Sequence, residues 1–423
     1  MEYLSRVVDC EIGELLGSLA AVSIEGPKGV GKTETAKRLA KTIRELDDLA
    51  LQAIASADVQ QLLRGEKPIL LDEWHRVPST WDAVRRAVDI DSKPNQFLLT
   101  GSANPANPPT HSGAGRMVTV RMRPLALSER KIERPSVSFA ELMCGNRPYI
   151  CGDTTFGLVR YVEEIVRSGF PGMRHLSGRA LRAQLDSYLL RIVDRDFQEQ
   201  GLNVRNPEGL RRWMAAYAAA TATTASFETI RDASTSGHGN KPAKTTVQPY
   251  KDILERLWIL ESVPAWIPTR NHLSGLSQPP KHHLADPALA VQLLGLDEHA
   301  LLDAKETSHL IPRDGNLLGN LFESLVTLSV RVLAQAVEAR VKHLRTKAGL
   351  HEVDLIVERG DQKVLAIEVK LSSSINDDDV RNLKWLEGKL GSDLLDAIVI
   401  NTGPNAYRRK DGIAVIPAFL LGP

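Results

Sequence analysis

The stretch GPKGVGKT, Gly26–Thr33, constrains what this chain can fold into more than any other eight residues. It follows the apolar run LAAVSI, Leu19–Ile24, which reads as a buried strand, and it opens the pattern KTETAKRLAKTIREL, which reads as a helix with Leu39, Ile43 and Leu46 on one face. Strand, glycine turn and helix in this order supply the setting that G-x-x-x-x-G-K-[ST] requires. Glycines let the backbone wrap an anion with its N–H groups, and the helix N-terminus adds positive potential. Gly26, Pro27, Lys28, Gly29, Val30, Gly31, Lys32 and Thr33 are therefore expected to cradle the phosphates of ATP. Lys32 would neutralise the β and γ oxygens and Thr33 would ligate Mg²⁺.

A second buried strand, ILLDEW at Ile69–Trp74, ends in two carboxylates and looks like a Walker B element. Asp72 is expected to hold Mg²⁺ through water, and Glu73 to orient or deprotonate the attacking water, a pairing that favours hydrolysis. A helix STWDAVRRAVD and a third strand QFLLTGS follow, so strands alternate with helices as in a parallel sheet covered on both faces. At the end of the third strand Thr100 and Ser102 offer hydroxyls to sense the γ-phosphate. The Pro- and Asn-rich ANPANPPTHSGAG reads as an active-site loop. Arg116 beyond it is a candidate to stabilise transition-state charge, in cis or across a subunit boundary, the latter requiring a homo-oligomer.

At 423 residues the chain has room for two or three domains at ~150 residues each. Residues 156–275 read as mostly helical, and the helix, loop and helix ending in TVQPYKDILERLWIL have the layout of a helix-turn-helix or winged-helix unit. Lys241, Lys244, Lys251 and Arg256 cluster there and are candidates to touch nucleic-acid phosphates. A net charge of +1 excludes a global polycationic field, so any such contact must be local. Cys10, Cys144 and Cys151 fit neither a disulfide framework nor a zinc site, which points to a reducing cytoplasm. No signal peptide is read at MEYLSRVVDC. NLFESLVTLSVRVLAQAV is interrupted by Glu323 and Arg331, so no membrane span is expected.

In VLAIEVKL the period of a strand sets Glu368 and Lys370 on one face, opposite Leu365, Ile367 and Val369. Asp354 lies in the preceding strand HEVDLIVE, with Val353, Leu355 and Val357 pointing away from it, and Glu323 lies on the helix before that. Carboxylates gathered this way suit Mg²⁺ or Mn²⁺, and a lysine beside them can offset phosphate charge or orient a water, which is nuclease chemistry. His282 and His283 are adjacent, poorly spaced for ligation, and read as loop residues.

These residues resemble prokaryotic AAA+ ATPases whose C-terminal half is a widespread domain of unknown function. The elements that carry the resemblance are GPKGVGKT, ILLDEW, LLTGSA, GRMVTVRMRPLALSE, SGFPG, LADPALA, NLFESLV and HEVDLIVERGDQKVLAIEVKLS. The resemblance implies an α/β protein. It would comprise a parallel-sheet, AAA+-like P-loop NTPase domain over residues 1–135, a helical and winged-helix-like middle over 156–275, and a restriction-endonuclease-like α/β domain of the PD-(D/E)xK type over 280–423. It carries Gly31, Lys32, Thr33, Asp72 and Glu73 over to the nucleotide site, and Glu323, Asp354, Glu368 and Lys370 to the nuclease-like site. Trp74 and His75 depart from the usual Ile-Gln that follows the acids.

Two readings follow. In the first, an ATPase governs a metal-dependent nuclease acting on DNA, less readily on RNA. In the second, an ATP-switched regulator binds nucleic acid or a protein partner, and its nuclease-like domain does not cut.

Overall fold

The computed structural model describes residues 3–102, 114–235, 244–267, 278–302, 316–346 and 349–423. The loop ANPANPPTHSGAG, except Ala114 and Gly115, and Lys241 lie outside them.

Five strands, β1 (Ala21–Glu25), β2 (Thr42–Glu45), β3 (Ile69–Asp72), β4 (Phe97–Gly101) and β5 (Met117–Arg121), form a parallel sheet in the order β2-β3-β4-β1-β5. β3 and β4 are buried along their whole length, as continuous apolar runs are when helices cover both faces. One cover is the helix Val8–Ser18, which turns Val8, Ile12 and Leu16 inward at a four-residue spacing; the other is Ser79–Ile90, which buries Trp81, Val84 and Val88.

The long helix expected from Lys32 to Leu46 is not formed. It ends at Lys37, and Thr42–Glu45 is the edge strand β2, paired with β3. Leu39, Ile43 and Leu46 fit a helical face, but the β-branched pair Thr42-Ile43 suits an edge whose partner lies more than twenty residues on.

Past the sheet, β6 (Val137–Ser138) and β7 (Gly152–Asp153) lie in a segment whose sequence shows no regular pattern. The middle is helical: Leu158–Val166, Gly178–Arg191 running through a π-helical turn Ile192–Asp196 into Phe197–Glu199, then Pro207–Ala219, Phe227–Ala233 and Lys244–Arg256. Asn206 and Ser226 cap the third and fourth of these helices. After them, antiparallel bridges join Leu260 to Leu284 and Val263 to Lys281.

The C-terminal part is a mixed sheet of β8 (Arg340–Arg345), β9 (Glu352–Glu358), β10 (Val364–Lys370), β11 (Leu394–Asn401), β12 (Asn405–Arg408) and β13 (Ala414–Pro417), with β7 at its far edge beside β12. β6 pairs with β14 (Leu421–Gly422), so the segment between the two sheets is tied to the chain's last strands. Leu355, Val357, Leu365 and Ile367 join the main core. Val353, Ile356, Val364 and Ala366 pack with Leu383 and Leu386 of the helix Arg381–Leu390. Val353 thus leaves the face it was expected to share with Leu355 and Val357.

The helix Leu317–Ala336 is long and apolar enough to cross a membrane by length and composition, but 83% of its most apolar window is buried inside the protein. Its two charges are satisfied internally. Glu323 meets Lys281, and Arg331 donates to the carbonyls of Glu261 and Ser262 at 2.9 and 2.6 Å.

Candidate functional site

The phosphate-binding loop leaves β1 after Glu25, at the C-terminal edge of the parallel sheet, where α/β proteins bind ligands. A Cβ on Gly26 would lie 2.1 Å from the Met122 carbonyl oxygen, so no larger residue passes there, and Gly31 adopts φ +100°, a left-handed value. Lys32 is buried and donates to the loop's own carbonyls, Gly26 O and Pro27 O, both at 2.9 Å. Burial pulls its ammonium down to about 8, against the attraction of Glu73 and Asp72.

Thr33 Oγ1 donates to Asp72 Oδ1 at 2.8 Å, and Thr100 Oγ1 makes a short bond to the same oxygen. Burial raises the Asp72 carboxyl, opposed by these two hydroxyls. Ser102 Oγ donates to Glu73 Oε2 at 3.2 Å, and the Glu73 N–H donates to Thr100 Oγ1 at 3.4 Å. Glu73 is left-handed, φ 53°, in a non-glycine residue at the end of β3. Gly26–Thr33, Asp72, Glu73, Thr100 and Ser102 are thus brought together as the sequence implies. The Thr33 hydroxyl and Asp72 carboxylate make the pair that would hold Mg²⁺ beside bound phosphates.

Three sets of contacts around the loop have no signal in the motif. His75 Nε2 lies 3.4 Å from Glu73 Oε2, and burial, with Arg76 and Lys28, lowers the imidazole to about 4, so it is neutral beside the acid at pH 7. Lys28 Nζ is held by Asp196 at 2.6 Å and Glu199 at 3.1 Å, both from the end of the second middle helix, and Tyr188 Oη donates to the Lys28 carbonyl at 3.1 Å. The SGFPG turn supports the loop from below: Phe170 packs at Gly29, while Gly169 N donates to Asp286 Oδ2 at 2.6 Å and Gly169 O accepts from Leu125 N at 2.8 Å.

Arg116 is placed elsewhere. It precedes β5, roughly 16 Å along the strand from the end that adjoins Glu25. Asp89 holds its Nε at 2.7 Å on the surface. The expectation of a cis contact to the phosphates is not met.

Glu323, Asp354, Glu368 and Lys370 do converge, at the junction of the helix Leu317–Ala336 with β9 and β10, but a fifth residue stands among them. Lys281 Nζ donates to Glu323 Oε1 and Asp354 Oδ1, both at 2.9 Å, and lies 3.3 Å from Glu352 Oε1. Asp354 Oδ2 accepts from Val369 N at 2.9 Å, and Glu368 Oε1 from Lys370 at 2.7 Å.

Burial, then Asp354, pushes Glu323 and Glu368 each up to about 8. Burial would also raise Asp354, but Lys281 and the Val369 N–H hold it below its usual range. Among the described residues no three His, Cys, Asp or Glu side chains form a group that could hold a metal ion. Where the sequence suggests Mg²⁺ or Mn²⁺ among Glu323, Asp354 and Glu368, the Lys281 ammonium takes the central place. His282 and His283 are buried, not loop surface; His282 Nε2 lies 2.7 Å from Ala225 O and His283 Nδ1 3.3 Å from Ser324 Oγ.

Residues 19–131 match a family described as an AAA domain. Residues 159–300 and 318–421 match two families each described as a domain of unknown function, DUF8612 and DUF4143. The uncharacterized proteins Mb2031c of Mycobacterium bovis and Rv2008c of Mycobacterium tuberculosis are each 23% identical over 290 residues, 67% of this chain and 58% of theirs. The chain thus spans little more than half the length of these curated relatives. Among solved structures, the Walker-type ATPase PABY2304 of Pyrococcus abyssi aligns over 67% of this chain and 94% of its own at 14% identity, with a TM-score of 0.39. A RuvB variant from Thermotoga maritima aligns over 61% and 89% at 17% identity, with a TM-score of 0.28.

Proposed function

With the match of residues 19–131 to a family described as an AAA domain as the premise, we propose that this chain binds ATP with Mg²⁺ and hydrolyses it, using the nucleotide to switch the state of the helical part packed against the phosphate-binding loop and, through it, of the C-terminal part. The observation that carries the reading is the Thr33–Asp72 bond, with Glu73 held beside it by Ser102 at the C-terminal edge of the sheet. Lys32 and the loop N–H groups bind phosphate, Asp72 and Thr33 position Mg²⁺, and Glu73 aligns the attacking water. His75, being neutral, sets no opposing charge beside Glu73. Asp196 and Glu199, by gripping Lys28, supply a route from loop to helical part.

The C-terminal domain, read as restriction-endonuclease-like, is assigned to binding rather than cutting, with nucleic acid, DNA ahead of RNA, as its partner. The three helices ending at Arg256 and the antiparallel pair after them support a winged-helix reading of the middle, with Lys244, Lys251 and Arg256 near its surface. A protein partner and a homo-oligomer belong to the same proposal, as does Arg116 acting on a neighbouring subunit.

The test is equilibrium binding of a fluorescent ATP analogue together with phosphate release. Lys32→Ala is expected to lose binding, and Glu73→Gln to bind normally and stop turning over. Wild-type turnover in both variants would remove the assignment.

A further inference from the structure

The C-terminal acids resemble the ligand set of a hard divalent ion, and the geometry around Lys281 tests that likeness. An ammonium has three N–H donors, and three carboxylates, Glu323, Asp354 and Glu352, stand within 3.3 Å of this one. Glu368 is engaged by Lys370 through Oε1, which leaves Glu368 Oε2 as a buried oxygen without a hydrogen-bond partner. Mg²⁺ or Mn²⁺ would need carboxylate oxygens here as direct ligands, yet Glu323 Oε1 and Asp354 Oδ1 are taken by Lys281 and Asp354 Oδ2 by the Val369 N–H. A divalent ion placed among these oxygens would also face the Lys281 charge at close range in a buried setting, where like charges repel strongly.

The backbone beneath Lys281 is also held in place. The residue is 1% exposed. Its N–H donates to Val263 O at 2.9 Å, its carbonyl accepts from Val263 N at 2.8 Å, and the next N–H, of His282, reaches Thr223 O at 2.9 Å. Four residues after that, Asp286 caps the helix Pro287–Leu293 and holds Gly169 under the phosphate-binding loop. The backbone that carries the ammonium is thus pinned on both sides. Lys281 lies in the region matching DUF8612, whereas Glu323, Glu352 and Asp354 lie in the region matching DUF4143.

We infer that Lys281 is the resident cation of the C-terminal carboxylate cluster: it stands where a divalent ion would otherwise sit, and so makes this cluster a metal-free ionic lock between the helical middle and the C-terminal sheet. The arrangement of acids that looks catalytic in the sequence then serves to receive a lysine from the neighbouring region. This inference deepens the assignment of the C-terminal domain to binding and is independent of ATP hydrolysis.

The experiment uses the full chain without nucleotide. Mn²⁺ binding is read from the loss of the free-ion electron paramagnetic resonance signal, and the thermal midpoint is measured with and without Mn²⁺. Wild type is expected to bind no Mn²⁺ that Asp354→Asn abolishes, and to keep its midpoint when Mn²⁺ is added. Lys281→Ala is expected to melt lower, to bind Mn²⁺ and to regain part of its midpoint with it; the double variant with Asp354→Asn should lose that recovery. Lys281→Arg, which keeps the charge, should show no response to Mn²⁺. Mn²⁺ bound by wild type and lost in Asp354→Asn would overturn the inference, and so would a folded Lys281→Ala that ignores the ion. The wild-type and Asp354→Asn measurements decide the matter even if Lys281→Ala does not fold.

Discussion

Lys32 and Lys281 are buried to similar depth, 5% and 1% exposed, yet their surroundings differ in kind. Lys32 rests on two neutral carbonyls of its own loop, and burial weakens its hold on its proton. Lys281 rests on carboxylates, and although burial works against its charge, Asp354, Glu323 and Glu352 more than restore it, raising the ammonium above the usual lysine range. The first is a cation still short of a counter-charge, as a phosphate site requires. The second has its counter-charge already. Two clusters that look equally chemical in the sequence thus separate by what each lysine touches: an open site at the edge of the parallel sheet and a closed one in the C-terminal sheet.

The sharpest break of this comparison is Glu73→Gln, which should lower the ATP turnover rate by about 10²–10⁴-fold with binding retained; retained turnover would strip the open site of its hydrolytic role. Next is Lys281→Met, which leaves three buried or half-buried carboxylates facing an apolar side chain and should cost about 3–5 kcal/mol of stability in urea unfolding. An unchanged midpoint would mean that the closed site is not a lock.

A smaller effect follows from pH. The Lys32 ammonium ionises near 8 in the free protein, and phosphate binding needs it charged, so ATP affinity should be level up to about pH 7 and about tenfold weaker by pH 9. The same group makes the nucleotide-free fold more stable as pH rises from about 8 toward the unfolded lysine value of 10.5, because the unfolded chain then binds the extra proton. An affinity that stays level to pH 9 would contradict the reading of Lys32 as an unneutralised cation. The smallest effect belongs to Arg116→Ala, which at high dilution should leave turnover unchanged, since the side chain pairs with Asp89 away from the loop. A loss at high dilution would return Arg116 to the site of its own chain.

How much of this was legible depended on distance along the chain. The phosphate loop is eight consecutive residues, and Asp72, Glu73, Thr100 and Ser102 each end an apolar run, so their shared edge follows from the parallel order of the strands. The pattern Leu39, Ile43 and Leu46 failed as a helix because the same residues also suit a strand, and β3 decided between them. Lys281 was out of reach for another reason. It lies 42 residues from Glu323 and 73 from Asp354, in KHHLADPALA, where no local period marks it as facing acids. Likewise Lys28 sits inside the motif, but its partners Asp196 and Glu199 follow about 170 residues later. The place of Arg116 after a loop points to the phosphates, whereas the register of β5 on β1 puts it at the other end of the strand.

The most direct test of one open and one closed site is the number of Mn²⁺ ions bound per full chain in the presence of a non-hydrolysable ATP analogue. The account predicts a single ion, lost in Thr33→Ala and retained in Asp354→Asn. A second ion, or one that Asp354→Asn removes, would contradict it.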